Sequence, residues 1–138
     1  MQDLVEIDNL DLIYQSIKHE TQALSNINLK IKEQEFISIV GPSGCGKTTI
    51  LSLISGLIKP TNGNVKVLGK TPDPTDDVSG YMFQRDNLLP WRNIEKNIYF
   101  GLELKGKKTK ERKEYAIGLA NKYGIGEFLK KQIGRAHV

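Results

Sequence analysis

Residues 41–48 read Gly-Pro-Ser-Gly-Cys-Gly-Lys-Thr, and this run constrains the fold more than any other feature of the chain. It fits the Walker A pattern: a glycine, four residues, a second glycine, a lysine, then a serine or threonine. The apolar, β-branched run over 36–40 predicts a buried strand, and apolar residues at helical spacing predict a helix over 47–57. A strand, a glycine loop and a helix form a phosphate cradle, because backbone N–H groups and the positive end of the helix dipole face one point.

Each residue type in this loop suits one task in binding a nucleoside phosphate. Gly41, Gly44 and Gly46 allow positive φ and a close approach of the backbone to a ligand. Lys47 is a compact cation that can reach the β- and γ-phosphate oxygens, and the Thr48 hydroxyl is a hard oxygen ligand suited to Mg²⁺. A dinucleotide fingerprint fits poorly, because the glycines run G-x-x-G-x-G and the lysine and threonine would have no task there. The loop therefore predicts nucleotide binding.

Bulk composition narrows the class of protein. A chain of 138 residues is one domain or part of one, and no apolar run approaches the 18 residues of a membrane-spanning helix. The net charge of +4 is uneven, because residues 101–138 contain 10 Lys and Arg against 4 Asp and Glu. No aromatic residues interleave with the lysines over 105–110 to stack bases, so we interpret them as a solvated loop and helix face.

Alternation of apolar and polar residues predicts three early strands, over 3–8, 10–17 and 25–32. These strands should form an antiparallel sheet beside the nucleotide core. Two further short strands are predicted over 65–68 and 80–83.

Helix signals dominate the second half of the chain. Asn93 should cap a helix over 94–104, and Thr109 should cap another that stops at Gly124. On the second helix, a stripe of apolar and aromatic residues is expected to pack in a core; it comprises Tyr115, Ala116, Leu119, Ala120 and Tyr123. The loop over 71–77 contains three aspartates, but its two prolines and the lack of a metal-loop pattern favour an ordinary turn.

The order of these features resembles an ABC-transporter ATP-binding subunit over residues from about 5 to 132. The runs at 23–29 and 53–63 are similar to the family's segments on either side of the Walker A loop, and Phe83-Gln84 resembles the Q-loop. The segments Asn87–Trp91 and Asn97–Gly101 resemble the nitrate, sulfonate and taurine importer branch.

The resemblance implies an α/β fold, with a P-loop NTPase nucleotide-binding core and an N-terminal antiparallel β subdomain. It also implies ATP and Mg²⁺ as cofactors. Tyr14 would stack on adenine, although a strand tyrosine that packs on its own sheet is the alternative. Lys47 and Gln84 would serve catalysis, with the Gln84 amide near Mg²⁺ and the attacking water. For Trp91, a surface that receives the permease and a buried position both stay open.

The resemblance assigns a full set of site residues. Those expected to contact the nucleotide are Tyr14, Gly41, Pro42, Ser43, Gly44, Cys45, Gly46, Lys47, Thr48 and Thr49. Those expected to hold Mg²⁺ are Thr48 and Gln84.

The function implied is that of an importer ATPase. The parent protein would dimerise around two ATP molecules at the cytoplasmic face of the plasma membrane and drive uptake of small anions through transmembrane permease subunits. No nucleic acid is expected as a partner. The alternatives are a soluble ABC-type ATPase that acts on nucleic acid, and a nucleotide-binding module without catalysis.

The chain departs from the family pattern after Gln132. The signature motif, the Walker B aspartate and the catalytic glutamate, which would follow, are absent from the sequence. We expect residues 1–132 to be the N-terminal part of an ABC ATP-binding domain, truncated before the signature motif, and residues 133–138 to be sequencing-adapter read-through. As written, the chain should hydrolyse almost no ATP, and the strand over 36–40 should lose a pairing partner and expose an apolar edge.

Overall fold

The computed structural model describes residues 3–17, 19–76, 78–85 and 87–133. The chain divides into two compact units, Met1–Met82 and Phe83–Val138. Asp77, one of the three loop aspartates, and residues 134–138 of the expected read-through lie outside the described residues. Within the part that is described, no helix combines the length and apolar character needed to cross a membrane.

The first unit is built on a three-stranded antiparallel sheet. Strands β1 (Asp3–Gln15), β2 (Glu20–Lys32) and β3 (Asn62–Val67) lie in the order β2-β1-β3, which confirms the predicted antiparallel sheet. The two strands predicted over 3–8 and 10–17 are in fact one, so that prediction was wrong. Asn9 takes a φ of 45°, and pairing with β2 resumes at Leu10 after this irregularity, so the bulge bends the strand without ending it.

Helix α1 (Lys47–Ile54) packs on this sheet through its apolar face. Leu53 is buried in one cluster with Ile7 and Leu10 of β1, and all three are less than 2% exposed. The helix is shorter than the predicted 47–57, because Gly56 has a φ of 75° and so cannot continue it. The sheet thus supports the helix whose first residue is Lys47.

The segment over 36–40 does not form the predicted buried strand. Phe36 is 94% exposed and Val40 is 91% exposed. A strand exists only when its N–H and C=O groups pair with a neighbour, and no described residue of the first unit pairs with this segment. Ile37 and Ile39 line an apolar hollow of about 350 Å³ beside α1. The strand prediction was wrong here, whereas the expected exposure of apolar residues is confirmed.

The remaining predicted strands of the first unit also change. The strand predicted over 65–68 runs from Asn62 to Val67, and Leu68 leaves it with a φ of 50°. The strand predicted over 80–83 does not form, because the structure has no β-strand over these residues, so that prediction was wrong.

The second unit is helical. Helices α2 (Ile94–Ile98), α3 (Phe100–Leu104) and α4 (Lys110–Lys122) precede a 3₁₀ turn, Gly126–Phe128. Asn93 Oδ1 accepts from the Lys96 N–H at 2.9 Å and Thr109 Oγ1 from the Arg112 N–H at 3.3 Å, so both predicted caps are confirmed. The helix predicted over 94–104 is divided at Tyr99, which ends α2 and begins α3.

The stripe predicted to be core on α4 is only partly buried, since its two tyrosines are exposed while Ala116 and Leu119 are half-buried. Tyr115 is 70% exposed and Tyr123 is 74% exposed, while Ala120 is buried. The large buried side chains of the described part of this unit are instead Tyr99 and Leu129. The prediction for the two tyrosines was wrong, because helical spacing identifies a face but not the amount of partner surface that covers it.

An ion-pair cluster in the second unit should make its stability depend on pH. Arg92 Nη1 donates to Glu103 Oε2 at 2.6 Å and Lys108 Nζ donates to Oε1, and these hydrogen bonds lower the pKa of Glu103 from 4.5 to about 2. Between about pH 4.5 and pH 2, the Glu103 carboxyl is therefore protonated in the unfolded chain but ionised in the folded chain. The stabilisation that these hydrogen bonds provide is present above about pH 4.5 and is lost as the pH falls towards 2. Glu103→Gln should lower the Tm at pH 7, and the difference from wild type should shrink by pH 3.

Thermal unfolding followed by circular dichroism at pH 7, 5, 4 and 3 measures this effect. Glu127→Gln, at an exposed glutamate of the same unit, is the control and should leave the Tm unchanged at each pH. An equal Tm difference for Glu103→Gln at pH 7 and pH 3 would contradict the prediction.

Candidate functional site

A cleft of about 380 Å³ lies in the first unit, between the glycine loop and the closed end of the β1–β2 hairpin. Its lining residues are Tyr14, Thr21, Gln22, Ala23, Gly44, Cys45, Gly46, Lys47, Thr48 and Thr49. The loop and the first turn of α1 supply one wall, and the two hairpin strands supply the other. Tyr14 and the Walker A residues, far apart in the sequence, therefore border the same cleft.

The Lys47 ammonium group binds backbone carbonyls of its own glycine loop. Its Nζ donates to the carbonyl oxygens of Gly41 at 2.8 Å and Pro42 at 2.6 Å, and lies 3.4 Å from Cys45 Sγ. Gly41 and Pro42 therefore contribute through their carbonyls rather than as lining residues, and Ser43 is exposed. The ammonium group is held at the centre of the loop, where it can exchange carbonyl oxygens for those of an anion.

Helix α1 begins with its N-terminus towards the cleft. Gly46 is the N-cap residue, and no side chain caps the helix among the described residues. Gly46 has a φ of 94°, and a Cβ at this position would lie 2.7 Å from Leu24 Cδ2 and 3.2 Å from the Ala23 carbonyl oxygen. Strand β2 therefore backs directly onto the start of α1, and a side chain at Gly46 would separate them.

A bulge in β2 produces this close approach. Leu12 pairs with Leu24, but the next residue, Ile13, pairs with Gln22, so Ala23 is the extra residue on β2. Bulges re-aim the residues around them and increase the local twist. Here the bulge places Ala23 against the glycine loop.

The two predicted Mg²⁺ ligands fall in different units. Thr48 lines the cleft in the first unit, while Gln84 belongs to the second unit and is exposed there. Gln84 as a ligand stays a prediction. In the described ranges no group of three or more His, Cys, Asp or Glu side chains could hold a metal ion.

The aspartate loop has the contacts of an ordinary turn. Thr75 donates to Asp73 Oδ1 through both its hydroxyl and its N–H, and these two hydrogen bonds lower the pKa of Asp73.

Trp91 belongs to the second unit and is 71% exposed. The buried position left open for this residue is therefore wrong, while its part in a surface that receives the permease stays a prediction.

Sequence reasoning missed Thr21, Gln22 and Ala23 as lining residues. Their position depends on the hairpin register, in which Tyr14 pairs with Thr21. The sequence offers only a weak signal here, a serine at the turn. In the structure the Ser16 N–H and Oγ both donate to the His19 carbonyl, and serine hydroxyls favour turns only weakly.

Comparison with known proteins gives a consistent result. A family model described as "ABC transporter" matches residues 24–137. The chain is 42% identical over 127 residues to the Bacillus subtilis (strain 168) protein named "Uncharacterized ABC transporter ATP-binding protein YtlC", covering 92% of this chain and 49% of that protein. It is 41% identical over 103 residues to the "Taurine import ATP-binding protein TauB" of Escherichia coli (strain K12), covering 75% and 40%.

Solved structures show the same fold. The dimeric post-hydrolysis state of the ATP-binding cassette MJ0796, bound to ADP and Pi, superposes with a TM-score of 0.79 at 32% identity. The match covers 94% of this chain and 61% of that chain. This likeness confirms the predicted P-loop NTPase fold class. The chain spans about half the length of the curated relatives it matches.

Proposed function

Because the chain belongs to the ABC transporter family, we propose that the cleft between the glycine loop and the β1–β2 hairpin binds ATP. The observation that carries this proposal is that Tyr14 and the Walker A loop line one cleft of about 380 Å³. Cavities of roughly 300–1,000 Å³ suit ligands of nucleotide size. The cleft has a half-exposed aromatic ring at one end and backbone N–H groups with a lysine at the other, as a nucleotide requires.

The loop end would bind the phosphates. Lys47 would exchange its bonds to the Gly41 and Pro42 carbonyls for bonds to phosphate oxygens, which are stronger acceptors because they are charged. The N–H groups at the start of α1, uncapped by any described side chain, would complete the phosphate contacts. Mg²⁺, when bound, would neutralise charge between the phosphates, and the Thr48 hydroxyl in the cleft would be one ligand for it. Gln84 is proposed as a second ligand.

The hairpin end would bind the base. Tyr14 is 48% exposed in the cleft wall, so its ring face is available to stack on adenine. Ser43, Cys45 and Thr49 would add backbone or hydroxyl contacts along the phosphate chain. The close contact between Gly46 and Ala23 would keep the two ends of the cleft at a set distance.

We further propose that the full-length protein hydrolyses ATP to drive uptake of small anions through a membrane permease. The support is the likeness to a protein named for taurine import and the segments Asn87–Trp91 and Asn97–Gly101, which resemble the importer branch. A pair of these subunits at the cytoplasmic face of the membrane is proposed because the solved cassette MJ0796 is described as dimeric. Trp91 would contribute to the permease interface, since it is exposed and aromatic side chains are enriched at interfaces.

Tyr14→Ala tests the proposed base site. The substitution should weaken ATP binding about tenfold, because base–aromatic stacking contributes roughly 1–3 kcal/mol per base. Binding of inorganic tripolyphosphate, which has no base, should not change. Isothermal titration of the full-length protein with each ligand in Mg²⁺ measures both constants.

Two variants control this experiment. Tyr14→Phe keeps the ring and should bind ATP within about twofold of wild type. Tyr123→Ala removes an exposed tyrosine of the second unit and should have no effect. Equal losses for ATP and tripolyphosphate in Tyr14→Ala would show that Tyr14 supports the loop rather than the base.

A further inference from the structure

We propose that Thr21 is a second nucleobase-contacting residue of this cleft, an inference that rests on the proposed ATP binding. Thr21 lies on β2 and lines the same cleft as Tyr14. The ligand class is a purine nucleoside triphosphate, and the part of it that Thr21 contacts is the base.

The strand register places Thr21 beside the Tyr14 ring. The two residues are direct partners across the antiparallel β1–β2 pair. Direct partners project from the same face of a sheet, with Cβ atoms about 4.5–5.5 Å apart. A purine is wider than a phenol ring and aromatic pairs prefer an offset arrangement, so a base stacked on Tyr14 extends over the neighbouring strand. Thr21 is the residue that stands there.

The local structure holds Thr21 in this position. Pairing is regular from Ile13 with Gln22 through to Gln15 with Glu20, on the turn side of the Ala23 bulge. The turn itself is closed by Ser16, whose N–H donates to the His19 carbonyl at 2.9 Å and whose Oγ accepts from the His19 N–H at 3.1 Å. The turn contacts hold the register in which Thr21 pairs with Tyr14, and both residues line the cleft.

The chemistry of threonine suits a base edge. Its methyl group packs against the plane of an aromatic ring, and its hydroxyl can donate to a ring nitrogen or accept from an exocyclic amine. Thr21 is exposed, so its methyl and hydroxyl groups are accessible to a ligand. The phosphate groups would instead contact the loop wall, so Thr21 should not affect their binding.

Thr21→Ala in the full-length protein tests the proposal by titration with ATP and with inorganic tripolyphosphate, both in Mg²⁺. We expect ATP affinity to fall about three- to tenfold and tripolyphosphate affinity to stay within about 1.5-fold of wild type. Ser25→Ala is the matched control, because it also removes a hydroxyl from an exposed β2 position but does not line the cleft. It should leave both constants unchanged.

A double-mutant cycle separates base contact from a general effect on the hairpin. In the Tyr14→Ala background, Thr21→Ala should lower ATP affinity by less than about twofold, because the base is no longer held beside Thr21. Unchanged ATP affinity in Thr21→Ala, equal losses for both ligands, or full additivity in the cycle would overturn the proposal while leaving ATP binding intact. If the wild-type protein binds neither ligand, the proposed function itself fails and this inference fails with it.

Discussion

Substitution of Lys47 by alanine should lower ATP affinity about 100-fold, which corresponds to roughly 3 kcal/mol. The Lys47 ammonium lies at the centre of the glycine loop, where it donates to the Gly41 and Pro42 carbonyls at 2.8 and 2.6 Å. Its removal takes away the cation closest to the proposed phosphate position, and a charged hydrogen bond contributes more than a neutral one. Unlike Tyr14→Ala, this variant should lose tripolyphosphate binding as well as ATP binding.

The control for Lys47→Ala is Lys66→Ala, which removes an exposed lysine from β3 in the same unit. It changes the net charge equally and should leave both affinities within about twofold, so it separates the local contact from a general charge effect. Circular dichroism melts of both variants should show that each is folded. ATP binding by folded Lys47→Ala at the wild-type level would show that the loop is not the phosphate site.

Substitution of Gly46 by alanine should destabilise the first unit by about 3 kcal/mol. Gly46 has a φ of 94°, so any L side chain is strained there, and its Cβ would lie 2.7 Å from Leu24 Cδ2 and 3.2 Å from the Ala23 carbonyl oxygen. Relief of this collision requires the buried Leu24 side chain to move and the Ala23 carbonyl to shift by a few tenths of an ångström away from the start of α1. We therefore expect ATP affinity to fall at least about tenfold as well, because the hairpin wall and the loop wall of the cleft would separate.

Gly44→Ala is the matched comparison for the free energy of unfolding. Gly44 also has a positive φ, 77°, but a Cβ there would meet nothing within 4 Å. Gly44→Ala should therefore lower the free energy of unfolding only through backbone strain, by about 1 kcal/mol. Urea denaturation of the two variants measures the difference, and equal destabilisation would show that contact with β2 at Gly46 does not matter.

Features that depend on neighbouring residues in the chain were predictable from the sequence. The Asn93 and Thr109 caps were correct, because a cap is a contact with a backbone N–H three residues later. The start of α1 at Lys47 was also correct, because the Walker A pattern places a helix directly after its last glycine. The end of that helix was placed three residues too late, because its apolar spacing continues to Leu57 although Gly56 has already left the helical conformation.

Features that depend on pairing between distant segments were predicted only in part: the antiparallel sheet was correct, but several other expected contacts were not. The run over 36–40 has the composition of a buried strand, but its backbone has no partner among the described residues of the first unit, and Phe36 is exposed. Tyr115 and Tyr123 have the spacing of a core face, but both side chains are exposed in the part of the chain that the structure describes. The composition of a segment indicates which secondary structure it favours, whereas its burial requires a second segment that packs against it.

By itself the sequence determined the glycine loop, its lysine and threonine, and the helix that follows, because the tasks of these residues depend on spacing within eight consecutive positions. Only the tertiary structure decided which residues face the loop across the cleft. The bulge at Ala23 and the pairing of Tyr14 with Thr21 set that wall, and a shift of one residue in register would have turned both side chains to the other face. The register depends on how two strands pair, so it cannot be predicted from the sequence of either strand alone.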